Sequence, residues 1–248
     1  MSTDTMTSVG TMHLTMTAKD VTAALAWVSV GASKDATLPV ITGVHMSYGT
    51  DHPHHYGDRH QTVRHEGYGV TFAATDRYIL THATVPVGGN VSGDESGSVL
   101  LPAKELAAAV KAWPKAGRSG QDNEITFEIT FTPAGVPLSV SVECLVMGQP
   151  ATTHVLRPIM GEFPKFRQLL PDFTDSATSP IGMALDATRV SDVARAAVKA
   201  SGNKRVVVSM RAAGSQDEYA RKPVALAVSN ADSPVYLSGL LMPVRLAS

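Results

Sequence analysis

Val99-Leu100-Leu101-Pro102-Ala103-Lys104-Glu105-Leu106-Ala107-Ala108-Ala109-Val110-Lys111-Ala112-Trp113 runs a short apolar strand into a helix across a single proline. Pro102 has no amide hydrogen and a preset φ, which suits a helix start. Residues 103–113 are alanine-rich, with Leu106 and Val110 on one face. Residues 125–132 then alternate. Ile125, Phe127, Ile129 and Phe131 stand against Thr126, Glu128, Thr130 and Thr132, the period of a half-buried strand. Residues 138–146 and 151–157 read as further strands, giving the order β-α-β-β-β.

The same order recurs on both sides. Upstream, residues 12–16 read as a strand and 18–31 as a helix carrying Val21, Leu25 and Val28 at helical spacing. Strand-like runs follow at 37–48, 69–75 and 79–87, the first two separated by a polar, histidine-rich insertion at 50–68. Downstream, residues 181–185 read as a strand. Asp186 or Thr188 caps a helix that Gly202 and Asn203 stop, and strands are expected at 205–210, 223–229 and 234–245. Residues 161–180, rich in Pro, Phe, Asp, Ser and Thr, read as a connector. The expectation is an α+β chain of three β-α-β-β-β units whose copies are not alike in sequence.

The chain has 248 residues, 44% hydrophobic and 17% charged, enough to bury a core. No run approaches the roughly 18 apolar residues of a membrane helix. The first residues lack the basic and apolar regions of a signal peptide. A single cysteine, Cys144, excludes an internal disulfide framework and a cysteine-rich zinc site. A cytoplasmic, reducing compartment is the expectation. Net charge is −1, divided as −4 over residues 1–172 and +3 over 173–248. The basic part is compatible with a nucleic-acid partner.

Four strings carry a family resemblance. Ala74-Thr75-Asp76-Arg77-Tyr78-Ile79-Leu80 follows Thr37-Leu38-Pro39-Val40. Ser98-Val99-Leu100-Leu101-Pro102-Ala103-Lys104-Glu105-Leu106 and Glu162-Phe163-Pro164-Lys165-Phe166-Arg167-Gln168-Leu169-Leu170-Pro171 come next, and Leu241-Met242-Pro243-Val244-Arg245-Leu246 closes the chain. In this order they resemble the bacterial DNA polymerase III β subunit, the DNA sliding clamp. The resemblance is partial and looks like a shortened, phage- or mobile-element-like member. Residues 1–172 resemble a clamp's middle domain of two units, and 173–248 a C-terminal domain with one unit.

That resemblance implies a clamp fold, with helices lining a ring and sheets outside. It implies a non-enzymatic processivity factor without cofactors, which encircles duplex DNA and tethers replication proteins. Non-specific phosphate contacts need Lys and Arg. Lys104, Lys111 and Lys115, spaced by seven and four, fall within about 20° of one helix face. On the third helix, Arg195 and Lys199 stand at i, i+4 opposite an expected apolar stripe of Val190, Val193, Ala194, Ala197 and Val198. Lys204 and Arg205 follow it. The first helix offers Lys19, with Lys34 in the loop beyond. The same lysines equally suit an ordinary solvated helix face. By resemblance, a groove for short peptide motifs of the polymerase and clamp loader has Ile41, Thr75, Leu80, Leu240, Met242, Pro243 and Val244 as walls. Ile41 and Leu240 also suit ordinary core positions. Arg77 and Tyr78 stand where the family usually has Gly and a small or polar residue, which narrows the groove or changes its peptide.

Rings in this superfamily contain twelve units. Three units per chain favour a homotetramer, whereas length favours a trimer. His52, His54, His55, His60 and His65 of the insertion match no closed metal-site spacing, so no metal is expected. No Ser-His-Asp order, phosphate loop or paired-carboxylate motif stands out. The rival readings are a clamp-like adaptor or decoy that does not encircle DNA, and a histidine-dependent metalloenzyme.

Overall fold

The structure, a computed structural model, describes residues 10–50, 68–88, 96–113, 123–146, 150–169, 185–202, 207–212, 224–229 and 235–242. The first unit comprises β1 (Gly10–Thr17), α1 (Ala18–Val28), β2 (Gly43–Gly49), β3 (Gly69–Thr75) and β4 (Ile79–Pro86). The second comprises β5 (Gly97–Pro102), α2 (Ala103–Ala112), β6 (Glu124–Phe131), β7 (Pro137–Leu145) and β8 (Thr152–Leu156). The third has α3 (Ala187–Ser201), β9 (Val207–Ala212), β10 (Val224–Ser229) and β11 (Tyr236–Leu241). Residues 181–184 of the strand expected before α3 lie outside the described residues, as do 51–67 of the insertion.

Local chemistry sets the helix ends. The Thr17 hydroxyl accepts from the Asp20 amide at 3.1 Å and donates to its carboxylate at 2.7 Å, a cap at the start of α1. Asp186, not Thr188, caps α3, accepting from the amides of Thr188 and Arg189 at 2.8 and 3.3 Å. Gly202 ends α3 at φ +66°, the left-handed position that glycine occupies without a Cβ penalty. Two expectations shift. The α1 helix ends at Val28 rather than 31, and the run 37–48 is broken by a 3-10 turn at Pro39–Thr42. Proline at the start of that turn cannot donate to a strand ladder.

Each leading strand leaves its own unit. β1 pairs antiparallel with β6, giving the four-stranded order β1-β6-β7-β8. β5 pairs antiparallel with β2, and the second sheet runs β5-β2-β3-β4-β11-β10-β9. The two sheets share one core in which Phe72 and Phe127 meet at 5.9 Å between ring centroids. The α1 and α3 helices pack on each other, and Val21, Ala24, Val28, Val193 and Ala197 belong to this core. β3 and β4 are buried almost throughout because a second, smaller apolar cluster covers their other face.

Backbone pairing of β4 with β11 joins the third unit to the first, in register from Tyr236 opposite Thr84 to Leu241 opposite Ile79. Trp27 of α1 is fully buried and its indole Nε1 donates to the Ser238 carbonyl at 2.8 Å. The Thr81 hydroxyl donates to the Val28 carbonyl at 3.0 Å. The strands meet so closely that a Cβ at Gly239 would lie 2.4 Å from the Leu80 carbonyl oxygen. Backbone cannot yield as a side chain does, so Gly239→Ala is expected to lower stability by about 1–3 kcal/mol. Gly10→Ala, where a Cβ meets nothing within 4 Å, is expected to stay within about 0.5 kcal/mol. Urea unfolding of the two variants checks this.

Candidate functional site

The joint between the first and third units gathers most of the residues singled out for a groove. Leu80 and Leu240 face each other across β4 and β11. The chain before β4 turns through Asp76, whose Oδ1 accepts from the amides of Tyr78 and Ile79 at 2.9 and 2.8 Å. The Thr75 hydroxyl donates to the Ile79 carbonyl at 2.8 Å and accepts from the Arg77 amide at 3.2 Å. These bonds hold Arg77 at φ +80°, a region that costs a residue with a Cβ roughly 1–2 kcal/mol. The backbone thus has the conformation that glycine takes most readily, at the place where the resemblance implies glycine. From α3, Arg189 forms an ion pair with Asp76 Oδ2 and sets its guanidinium 4.9 Å from the centre of the Tyr78 ring. The Met242 amide donates to the Tyr78 carbonyl at 2.9 Å, carrying the joint beyond β11.

The groove residues differ in access. Thr75, Leu80 and Leu240 are buried, and Ile41 is buried in the 3-10 turn, where its carbonyl accepts from the Ser33 amide. Met242 is 38% exposed and Tyr78 54% exposed, with Arg77 exposed between the strands. Pro243 and Val244 lie outside the described residues. Leu80 and Leu240 belong to a small apolar cluster with Ala73, Leu100, Phe163, Phe166 and Ala225. Sequence reasoning treated residues 161–180 as a connector and missed that Phe163 and Phe166 are core. The available signal was two aromatic residues three apart in a polar stretch.

Two histidines lie under those phenylalanines. His45 stacks on Phe163 at 5.0 Å, and His82 lies 6.0 Å from Phe166. His82 is fully buried and shares a 2.8 Å hydrogen bond between Nε2 and the Ser238 hydroxyl. Burial first, and the Arg167 charge second, push both imidazoles down from 6.5 to about 4. A cleft of about 550 Å³ beside His45 is lined by that residue, Leu100, Pro158, Phe163 and Arg167 among others, and no groove residue lines it.

The cationic candidates sit apart from this joint. Lys104 and Lys111 are exposed on α2, seven residues apart, while Leu106 and Ala109 are buried on it. Lys19, Lys34, Arg195 and Lys199 are exposed. Arg195 is partnered by Asp192 on its own helix. Lys115, Lys204 and Arg205 lie outside the described residues. The buried stripe of α3 is Val193, Ala196, Ala197 and Ala200. Ala194 and Val198, expected inside, are exposed because the helix turns its Val193–Ala197 edge to α1.

The exchanged leading strands, the paired helices and the continuous sheet across a unit boundary define a DNA-clamp fold. The structure superposes on a Helicobacter pylori β clamp with a TM-score of 0.60, covering 95% of this chain and 66% of that one at 12% identity. It matches the Bacillus subtilis DNA polymerase sliding clamp with a TM-score of 0.53, covering 100% and 69% at 12% identity. In sequence it is 31% identical over 175 residues to the beta sliding clamp of Micrococcus luteus, a match that covers 69% of this chain. No family model matches the chain. In sequence and in fold the chain is thus similar to the bacterial DNA polymerase III β subunits, the sliding clamps, and it spans 43% of the length of the Micrococcus protein.

The two buried histidines give a pH dependence. Each is neutral in the folded protein above pH 4 and takes a proton in the unfolded chain below 6.5. The unfolded state therefore binds more protons in that window. Stability is retained above about pH 6.5 and falls as pH drops toward 4, by up to ~1.4 kcal/mol per pH unit for each group. Urea unfolding at pH 7.5 and pH 5 measures the loss, and His82→Gln is expected to reduce its slope.

Proposed function

We propose that the chain works as a DNA sliding clamp and polymerase processivity factor, a non-enzymatic ring of several copies that encloses duplex DNA and tethers replication proteins. The observation that carries this reading is 31% identity to a beta sliding clamp in a chain that has the clamp fold. In the proposed division, residues 1–172 form one clamp domain and 173–248 a half domain with one unit. Three units per chain favour a tetramer over a trimer, and the cytoplasm is the proposed compartment. No helix among the described residues is long and apolar enough to cross a membrane.

Retention would be topological, so the protein–DNA contacts need charge without sequence preference. Lys104 and Lys111 on one face of α2 are the best placed, with Lys19, Lys34, Arg195 and Lys199 supporting and Lys115, Lys204 and Arg205 proposed from sequence. The partner groove is proposed at the β4–β11 joint. Tyr78 and Met242 would supply exposed apolar contact there, and Thr75, Leu80 and Leu240 the buried support. Pro243 and Val244 are proposed to extend it.

Loading on circular DNA and then linearising it tests the ring. Retention on the circle and loss from free ends is expected. Binding to replication proteins with no topological retention marks the adaptor reading instead. Lys104→Glu with Lys111→Glu is expected to weaken DNA binding without unfolding the protein. Each lost phosphate contact should reduce the log–log salt slope by about one unit.

Met242→Ala is expected to weaken a fluorescein-labelled polymerase clamp-binding peptide by about 1–2 kcal/mol in fluorescence polarisation, as loss of an exposed anchor does. Wild-type affinity in this variant counts against the groove.

A further inference from the structure

We propose that the cleft between the β6–β7 hairpin tip and residues 158–167 is a second partner-docking site, one that takes a peptide segment in which an aromatic side chain stands next to a carboxylate. It is separate from the β4–β11 joint, because Ile41, Thr75, Leu80, Leu240 and Met242 line no part of it.

Both walls of the cleft are fixed by their own bonds. In the hairpin the Thr132 amide donates to the Val136 carbonyl and the Gly135 amide to the Thr132 carbonyl, each at 2.9 Å. Gly135 completes the turn at φ +74°, which glycine adopts without a Cβ penalty. On the other wall the Ile159 amide donates to the Leu100 carbonyl at 2.8 Å, and Phe163 and Phe166 are buried in the smaller apolar cluster. A ligand entering between such walls need not order them, which favours binding.

Each wall leaves an apolar side chain in water where it borders the cleft. Val136 is 40% exposed and Met160 72% exposed, and both line the cleft together with Leu100 and Ile159. Exposed apolar groups gathered at one concave place mark a contact surface. The volume of about 550 Å³ admits a large anchor with its flanking backbone, and aromatic side chains are the anchors that gain most from such a pocket.

The polar groups select the rest of the segment. His45 lines the cleft, and its Nδ1 is buried without a hydrogen-bond partner. Such an atom carries a desolvation cost that a polar ligand group can remove. Among the charged lining residues, Lys165 and Arg167 stand against Glu162 alone, a net charge of +1 with His45 neutral. Arg167 is held in place, donating from Nη2 to the Ser47 hydroxyl at 3.4 Å. Lys165 pairs with Glu162 at 3.8 Å on the open surface, a contact of small worth that opens readily toward another carboxylate. The cleft therefore complements an acidic side chain beside the apolar anchor.

Nuclear magnetic resonance on the full chain, labelled with 13C at the methionine methyls, tests the site. The Met160 and Met242 signals are assigned by their loss in Met160→Leu and Met242→Leu. The probes are acetyl-Gly-Trp-Asp-Gly-amide and its neutral counterpart acetyl-Gly-Trp-Asn-Gly-amide, titrated to millimolar concentration. The acidic peptide is expected to shift Met160, and the neutral one to bind about three- to fivefold more weakly. Lys165→Glu, a change at an exposed position, is expected to remove that preference while the remaining methyl signals stay in place. A Met160 signal that neither peptide moves overturns the proposal. So does equal binding of the two peptides, or a preference that survives Lys165→Glu. A shift of Met242 alone would place the peptide at the β4–β11 joint, reject this cleft and leave the proposed groove standing.

Discussion

A strand bonded along one edge only is an unfinished object, and neither of the first two units finishes its own. β1 completes the sheet of the second unit and β5 completes that of the first. Removing either would leave backbone donors and acceptors without ladder partners along a whole strand. The exchange also carries Met12, Leu14 and Met16 into the core against Ile125, Phe127 and Ile129. The first two units therefore bury their apolar faces together. The long sequence separation of the β1–β6 pair makes this a slow, non-local closure.

The third unit is fastened by different means. A ladder from β4 to β11, the Trp27 indole on Ser238 and the Arg189–Asp76 pair all cross the same boundary. The last of these reaches the turn where Arg77 holds a left-handed backbone. Strain of that kind persists where surrounding bonds over-determine it. Asp76, Thr75 and Met242 supply those bonds. The surface proposed to receive partners is thus built on a turn that α3 helps to hold.

Much of this was legible from residue pattern. The alternation from Ile125 to Phe131 reads directly as a strand with one buried face, and Asp186 and Gly202 bracket α3 as their chemistry dictates. The pairing of β4 with β11 was not legible, because ladder hydrogen bonds come from backbone groups that every residue shares. The stripe on α3 was misjudged for a related reason. Ala194 and Ala196 have the same side chain, and only the position of α1 decides which is buried. Pro39 gave the sign of a break that the run 37–48 was read through. Within the groove, burial of Leu80 and Leu240 depends on Phe163 and Phe166 arriving from more than eighty residues beyond Leu80, a contact no local pattern encodes.

Joining units through a continuous antiparallel ladder gives the boundary a directional stiffness. Sliding β11 along β4 by one residue would send every side chain of the strand to the wrong face and pull Ser238 away from the Trp27 indole. Motion along the strand axis is therefore resisted at all the paired positions together. Rotation about that axis is opposed by contacts that lie off it, the packing of α1 on α3 and the Arg189–Asp76 pair. The boundary is thus fixed in register along the strands and braced away from them, one core holding both units.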